Sequence, residues 1–311
     1  MVVSHGSLPP AAARHAVTVG NFDGVHLGHR AMLERLVAKA RALGVPACAL
    51  TFEPHPREFF APQTAPARLT RLREKLELIA ESGADRVHVL RFDARLAALA
   101  PERFVADVLV AGLGACWLLV GRDFRYGTKR AGDYAALEAE SARHGFALEA
   151  MPDVALEGAR VSSSSVRAAL AAGDLAGAAR LLGRPYMMSG RVAHGERLGR
   201  KLGFPTANIV LRRTPPLAGI FVVEAELEET HARLAGVASV GRKPTLKADA
   251  APLLEVHLFD FEGEIYGRHL RVKFLEKLRD EQKYDGLEAL AAAIAADAAR
   301  ARRHFEKSTH G

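Results

Sequence analysis

Apolar and polar positions along the chain change rhythm once. In the first part, HAVTVG, ACALTF, RVHVLRF and CWLLVG are short, almost uniformly apolar runs, the pattern of strands buried on both faces. Between and after them, HRAMLERLVAKARALG, RLREKLELIAESG, PERFVADVLVAGLG and YAALEAESARHG carry apolar residues at helical spacing, and each stops on a glycine. A proline opens the third of these helices. Strand and helix in alternation predict a mostly parallel sheet covered on both faces, with its ligand site at the carboxyl ends of the strands.

After the helical stretch ALAAGDLAGAARLLGRP, the period falls to two. MSGRVAHG, FPTANIVL, GIFVVEAELEE, LAGVASVG, LLEVHLFDF and HLRVKFLEKLR follow one another through turns with no helix between them. That pattern predicts an antiparallel β-barrel. A last helix is expected from about Gly286 to Phe305. The 311 residues thus divide into an α/β domain over 1–184 and a β domain with a terminal helix over 185–311. No internal repeat or low-complexity linker separates them.

Composition adds exclusions. Two cysteines, Cys48 and Cys116, lie in apolar strand runs and read as small buried hydrophobes, with no disulfide framework or zinc spacing. Neither a secretory leader nor a membrane-spanning run is legible, so a cytoplasmic protein without a membrane partner is expected. The net charge of +7 raises the possibility of nucleic-acid binding. That reading requires a basic stripe interleaved with exposed aromatics, yet aromatic content is 6%. The basic residues instead flank glycine-rich turns: Arg125, Lys129 and Arg130, then Arg191, Arg197, Arg200 and Lys201. Phosphorylated small molecules are the expected partners and nucleic acid is not; self-association is left open.

Two polar turns in the first domain carry candidate chemistry. TVGNFDGVHLGHR runs from a strand into a helix, aiming backbone N–H groups and the positive helix end at an anion. His26 and His29 are three apart and can share one side of the first turn, with Gly28 between them allowing close approach. Two such imidazoles can donate hydrogen bonds to charge developing on a phosphoryl oxygen; the plainer reading is two surface histidines at a helix start. VSSSSVR sets Ser162, Ser163 and Ser164 before Arg167 at another helix start, either a second oxyanion clamp or a simple N-cap. FEPHP and GRDFRYG follow the second and fourth strands, where a sheet-edge ligand would lie.

The second domain repeats the theme on a β scaffold. In HGERLGRKLGFPTANI, Gly195, Gly199 and Gly203 permit close backbone approach while Arg197, Arg200 and Lys201 supply charge. Thr206 and Asn208 are two apart in an expected strand, so both side chains leave one face and could ligate Mg²⁺ through oxygen. Glu255 alternates with an apolar face of Leu254, Val256 and Leu258, and can accept the proton of an attacking hydroxyl. A solvated strand carrying a threonine, an asparagine and an ordinary carboxylate is the alternative.

Taken together, GNFDGVHLGHR, FEPHP, GRDFRYG and VSSSSVR resemble the nucleotidylyltransferase module of the bacterial bifunctional riboflavin kinase / FAD synthetase family. GRVAHGERLGRKLGFPTANI, GIFVVEAEL, GVASVGRKPT, LEVHLFDFEGEIYG and LRVKFLEKLRDEQKYDGLEAL are similar to its riboflavin kinase module. The resemblance covers the chain from about His15 onward. It implies a Rossmann-like domain joined to a riboflavin kinase-like barrel, with ATP and Mg²⁺ consumed in making FMN from riboflavin and FAD from FMN. It further implies that His26 and His29 stabilise the ATP α-phosphate, in a site with Gly20, Asn21, Phe22 and Gly28. Ser162, Ser163, Ser164 and Arg167 would hold the triphosphate, and Phe52, His55 and Asp123 would lie around the flavin or its phosphate.

In the kinase module the resemblance assigns ATP and Mg²⁺ to Thr206 and Asn208, ATP also to Gly195, Gly199, Lys201 and Gly203, and the base to Glu255. Arg279 falls on a loop-to-helix element that closes on the flavin in the family. Two departures are visible: Lys243 stands where the family usually has arginine, and Tyr126 where phenylalanine is common. A different nucleotidylyltransferase fused to an accessory barrel is the competing reading, which Glu255 and the PTAN element disfavour.

Overall fold

The computed structural model describes residues 1–195, 199, 202–241 and 251–309. Its contacts divide into two compact units, Met1–Pro66 with Thr70–Ser162, and Ala67–Leu69 with Ser163–Gly311.

The first unit is built on a parallel sheet of β1 (Val2–His5), β2 (His15–Val19), β3 (Ala47–Glu53), β4 (Arg86–Arg91), β5 (Ala115–Gly121) and β6 (Ala147–Met151), in the order β1-β4-β3-β2-β5-β6. The pleat sorts its side chains. Ala16, Ala49, Val87, Val89, Trp117 and Leu119 pack with α1 (Leu27–Leu43) and α3 (Leu72–Glu81). Val17, Val19, Leu50, Leu118 and Val120 face the other way, onto Phe104, Val105 and Leu109 and onto Leu137 of α6 (Tyr134–His144). The chain leaves β2 toward β3 on one side, while β5 pairs on the other, so the order reverses at β2. A crevice at the carboxyl ends is expected there.

Three local features differ from the sequence reading. The sheet has six strands rather than four, because β1 pairs with β4 and the alanine-rich β6 pairs with β5. The helix expected over PERFVADVLVAGLG is a short turn, α5 (Pro101–Arg103), continuing as π-helix from Phe104 to Gly112. Uniformly apolar sequence carries no mark of an i→i+5 register. Finally, α2 (Pro56–Phe60) and α4 (Ala94–Ala97) are short helices within expected loops.

A two-stranded hairpin of β7 (Ala155–Leu156) and β8 (Ala159–Arg160) follows β6. The second unit is a six-stranded antiparallel sheet of β9 (Met187–Arg191), β10 (Ala207–Val210), β11 (Gly219–Leu227), β12 (Ala232–Gly241), β13 (Leu253–Leu258) and β14 (His269–Arg279), in the order β10-β13-β12-β11-β14-β9. Just past β9, the Ala193 N–H donates to the Asn208 carbonyl of β10 at 2.7 Å, so the two edges meet and the sheet curls into a barrel. Phe221, Val223, Leu254, Val256, Val272 and Phe274 fill the inside. Val222, Val237 and Leu278 face outward onto Ala298 and Ala301 of the terminal helix α9 (Leu287–Thr309).

Helices α7 (Ser163–Ala171) and α8 (Leu175–Leu182) join this second unit through Val166, Leu170, Leu175, Ala178 and Leu182. Packing therefore changes hands at Ser162–Ser163, ahead of the change of sequence rhythm near residue 184.

Candidate active sites

The turn from β2 into α1 is tightly held. Asp23, 3% exposed, accepts from the Thr70 backbone at 3.1 Å and its hydroxyl at 3.3 Å. The Thr70 hydroxyl in turn accepts from Gly24 N–H at 3.0 Å. Gly24 takes φ 85°, which glycine allows, but Phe22 and Val25 also lie in the left-handed region at φ 48° and 40°. For a β-branched residue this costs on the order of 1–3 kcal/mol, a strain typical of ligand sites.

That strained turn delivers the two histidines. His26 Nδ1 accepts the His29 backbone N–H at 3.3 Å and so caps α1. A ring nitrogen that accepts carries no proton, so in this geometry the His26 ring is neutral with its proton on Nε2. The two rings stack, with centroids 3.7 Å apart and planes 19° from parallel. His29 Nδ1 is inaccessible and has no hydrogen-bond partner among the described residues. Burial, then His26 and Lys75, hold the His29 pKa well below the ordinary histidine value. The pair thus presents neutral donors, backed by the positive end of α1.

A side chain at Gly28 would come within 3.2 Å of the His26 ring and 3.6 Å of the Val161 carbonyl, so this glycine admits both. Ser162 follows Val161 in this unit. Ser163, Ser164 and Arg167 belong to α7 in the second unit, where Arg167 Nε donates to the Ala67 carbonyl at 2.6 Å.

Beside the turn, a cavity of about 720 Å³ is lined by Gly20, Asn21 and a set of aromatics: Phe52, Phe92, Phe124 and Tyr126, with the exposed Phe60. That volume and lining suit a planar heteroaromatic ligand. Arg57, Arg125, Lys129 and Arg130 add positive charge to its wall, and Lys129 and Arg130 hold φ of 52° and 58°. Phe52 lines the cavity, but two expected companions are otherwise engaged. His55 Nδ1 accepts from Arg57 N–H at 3.1 Å and caps α2. The Asp123 carboxylate accepts from Arg160 at 2.7 Å. Tyr126 OH is buried without a partner among the described residues, and burial pushes its pKa up to about 12.

In the barrel, Asn208 and Glu255 are direct cross-strand partners, as are Glu255 and Ser239, so the three side chains share one face. Ser239 Oγ donates to Glu281 at 3.3 Å, and the Glu281 carboxylate fills the space a side chain at Gly241 would need. Burial, with the nearby charge of Glu255, raises the Glu281 pKa. Gly195, Thr206 and Asn208 line a cavity of about 280 Å³ with Val192, Val256 and Tyr266. Gly195 is required, since any side chain there would overlap the Asn208 amide. Gly199 likewise lies against the Phe204 carbonyl, and Gly203 takes φ 85°.

Thr206 sits just ahead of β10 rather than within it. Arg279 is the last residue of β14 rather than part of the loop that follows. Its guanidinium donates to Asp297 of α9 at 2.6 and 3.1 Å. Arg197, Arg200, Lys201 and Lys243 lie outside the described residues.

The oxygens here fit a hard cation. Asn208 Oδ1 is buried without a hydrogen-bond partner among the described residues, and Asn208 is the cross-strand partner of Glu255. No cluster of three or more His, Cys, Asp or Glu among the described residues could hold a metal, so a bound Mg²⁺ would lean on substrate phosphates.

Comparison with known proteins bears on the whole chain. Residues 8–165 match the FAD synthetase family model and residues 182–305 the riboflavin kinase model. A bifunctional riboflavin kinase/FMN adenylyltransferase of Pseudomonas fluorescens is 48% identical over 98% of this chain and 97% of its own. The protein of that name from Escherichia coli K12 is 47% identical over 93% and 92%. The chain belongs to the bifunctional riboflavin kinase/FMN adenylyltransferase family. A solved structure titled a macrolide-efflux protein from Streptococcus pneumoniae has the same fold, with a TM-score of 0.80 and 27% identity over 96% of this chain and 97% of its own. No described helix of this family member is long and apolar enough to cross a membrane.

Sequence reasoning about the family motifs passed over the residues behind them. Asp23 sits inside the quoted motif, yet its partner Thr70 is 47 residues away. Phe92, Glu281 and Asp297 reach the sites through tertiary packing alone. The one signal available for Glu281 was Gly241, a strand glycine leaving room for something.

Proposed function

We propose that this transferase runs the family's two reactions in separate halves, each with the residues its nucleophile demands. At the barrel, riboflavin is phosphorylated: its hydroxyl oxygen bonds to the γ-phosphorus of ATP as the bond to ADP breaks, and Glu255 accepts the hydroxyl proton. Thr206 and Asn208 would hold Mg²⁺ through oxygen, and bound Mg²⁺ would neutralise charge on the transferring phosphate. Gly195, Gly199, Lys201 and Gly203 admit the nucleotide, and Arg279, pinned by Asp297, anchors the start of the flavin-side loop.

At the N-terminal turn, a phosphate oxygen of FMN bonds to the α-phosphorus of a second ATP and pyrophosphate leaves, giving FAD. This nucleophile is already an anion, so no base is needed; positioning and charge stabilisation supply the rate. His26 and His29 donate to the α-phosphate oxygens as neutral imidazoles. Gly20, Asn21, Phe22 and Gly28 shape the ATP side, Ser162, Ser163, Ser164 and Arg167 bind the triphosphate, and Phe52 stacks on the flavin. His55 and Asp123 act from behind, as cap and as partner of Arg160. Dependence on ATP makes the cytoplasm the working compartment.

The observation that carries the reading is the stacked, neutral histidine pair beside an aromatic cavity with a cationic wall. Purified protein incubated with riboflavin, ATP and Mg²⁺, followed by chromatography, is expected to yield FMN first and FAD later. FMN accumulating with no FAD, even when FMN is supplied, would reject the adenylyl-transfer assignment.

A further inference from the structure

The stretch between β5 and α6 carries four cations, Arg122, Arg125, Lys129 and Arg130, against two carboxylates, Asp123 and Asp133. Both carboxylates are taken. Asp123 accepts from Arg160 at 2.7 Å, and Asp133 accepts from Arg125 at 3.2 Å while capping α6. Among the described residues, neither the Lys129 ammonium nor the Arg130 guanidinium has a hydrogen-bond or ion-pair partner.

The backbone beneath these two cations is nevertheless fixed, and at a cost. Lys129 and Arg130 take consecutive left-handed φ of 52° and 58°, which side-chain-bearing residues adopt only under constraint. The constraint is visible. Tyr126 and Gly132 exchange backbone hydrogen bonds at 3.1 and 3.0 Å across the base of the turn. Thr128 N–H donates to the Leu99 carbonyl at 2.8 Å, and a side chain at Gly127 would overlap Pro101. Glycine or asparagine would suit such a turn better. Lysine and arginine add reach and charge.

Both cations are exposed, and both line the cavity that Phe52, Phe124 and Tyr126 also line, so they stand at its open side. A flavin ring meets the same aromatic wall with or without its phosphate. Apolar contact therefore cannot tell FMN from riboflavin, whereas charge can.

We infer that the turn of residues 127–130 selects the phosphorylated flavin. Lys129 and Arg130 draw the phosphate group in as the ring enters the cavity, and an unphosphorylated flavin gains nothing from them. An exposed cation acts through its field, so the effect lies in capture of FMN rather than in the chemical step, and salt weakens it. The inference rests on the reading of this cavity as the flavin side of the adenylyl-transfer site.

The test uses the full chain with Lys129→Asn and Arg130→Asn, singly and together, because asparagine tolerates the left-handed backbone. FAD formation from supplied FMN is measured at about 0.1 M and about 1 M salt, where the screening length falls from about 10 to about 3 Å. Lumiflavin, the same ring without ribityl chain or phosphate, serves as a neutral competitor that cannot be phosphorylated. FMN formation by the same polypeptide reports folding, and His29→Ala is the reference. The double variant is expected to lower kcat/KM for FMN about 10-fold at the lower salt and to approach the parent at the higher. Its kcat, its KM for ATP and its inhibition by lumiflavin should stay as in the parent. Exchanging the two residues, Lys129→Arg with Arg130→Lys, should restore capture, and Lys129→Glu with Arg130→Glu should fall below the asparagine pair.

An unchanged kcat/KM for FMN in the asparagine pair, beside an impaired His29→Ala, overturns the inference alone. A loss that salt does not erase, or that lumiflavin inhibition shares, makes the turn merely structural and also overturns it. A shift confined to KM for ATP assigns the cations to the nucleotide, with the same result. A fully active His29→Ala removes the site reading itself.

Discussion

The two candidate sites are built of opposite materials. The N-terminal turn offers neutral imidazoles at a helix start. The barrel offers carboxylates on one rung of a sheet, Glu255 opposite Ser239 with Glu281 beside them. The contrast follows from the nucleophile. A phosphate arrives charged and must be stabilised, whereas an alcohol must give up a proton, so only the second site needs a carboxylate.

The largest expected effect breaks the barrel half alone. Glu255→Gln should lower FMN formation by about 1000-fold while FAD still forms from supplied FMN, as separate assays of the two products would show. The mirror experiment is His29→Ala, which should cost FAD formation about 100-fold or more and leave FMN formation in place. If either substitution impairs both reactions equally, the division between sites is wrong.

Asp297→Asn tests whether the barrel site depends on its pinned arginine. Breaking this largely buried pair should destabilise the barrel unit by about 3 kcal/mol and raise KM for riboflavin, read by denaturant melts and kinetics.

Acid sharpens the contrast further. Because the His29 pKa lies well below 6.5, the ring stays neutral through the ordinary histidine range. FAD formation should therefore lose no rate to this ring between about pH 8 and 6. The unfolded chain takes up that proton first, so His29 costs no stability above its ordinary pKa. Below it, stability declines as pH falls toward the folded value, visible as a falling Tm. The smallest change is Tyr126→Phe, which removes a buried hydroxyl lacking a partner and should raise stability by about 1 kcal/mol without altering FMN affinity.

Much of this architecture is legible in the sequence because burial writes periodicity. Strands covered on both faces are uniformly apolar, barrel strands alternate, and the switch between them is plain to read. The strand–turn–helix around His26 is equally visible, since three glycines and two histidines in one turn have little structural excuse. What stays hidden depends on pairing. The strand Val2–His5 is too short to announce itself before β4 receives it, and ALEAM of β6 has helix-forming composition. Helices α7 and α8 carry ordinary amphipathic patterns that do not say which sheet they cover. Asp123 and Arg279 look available as sequence, yet Arg160 and Asp297 already hold them.

Asn208 closes the barrel with its backbone and faces the pocket with its amide. Seam and cavity wall are thus one residue. An insertion that slips either edge by a single position would turn that amide away before the barrel's apolar filling is disturbed. Damage at this join should therefore silence phosphorylation in a protein that still looks folded to a spectrometer.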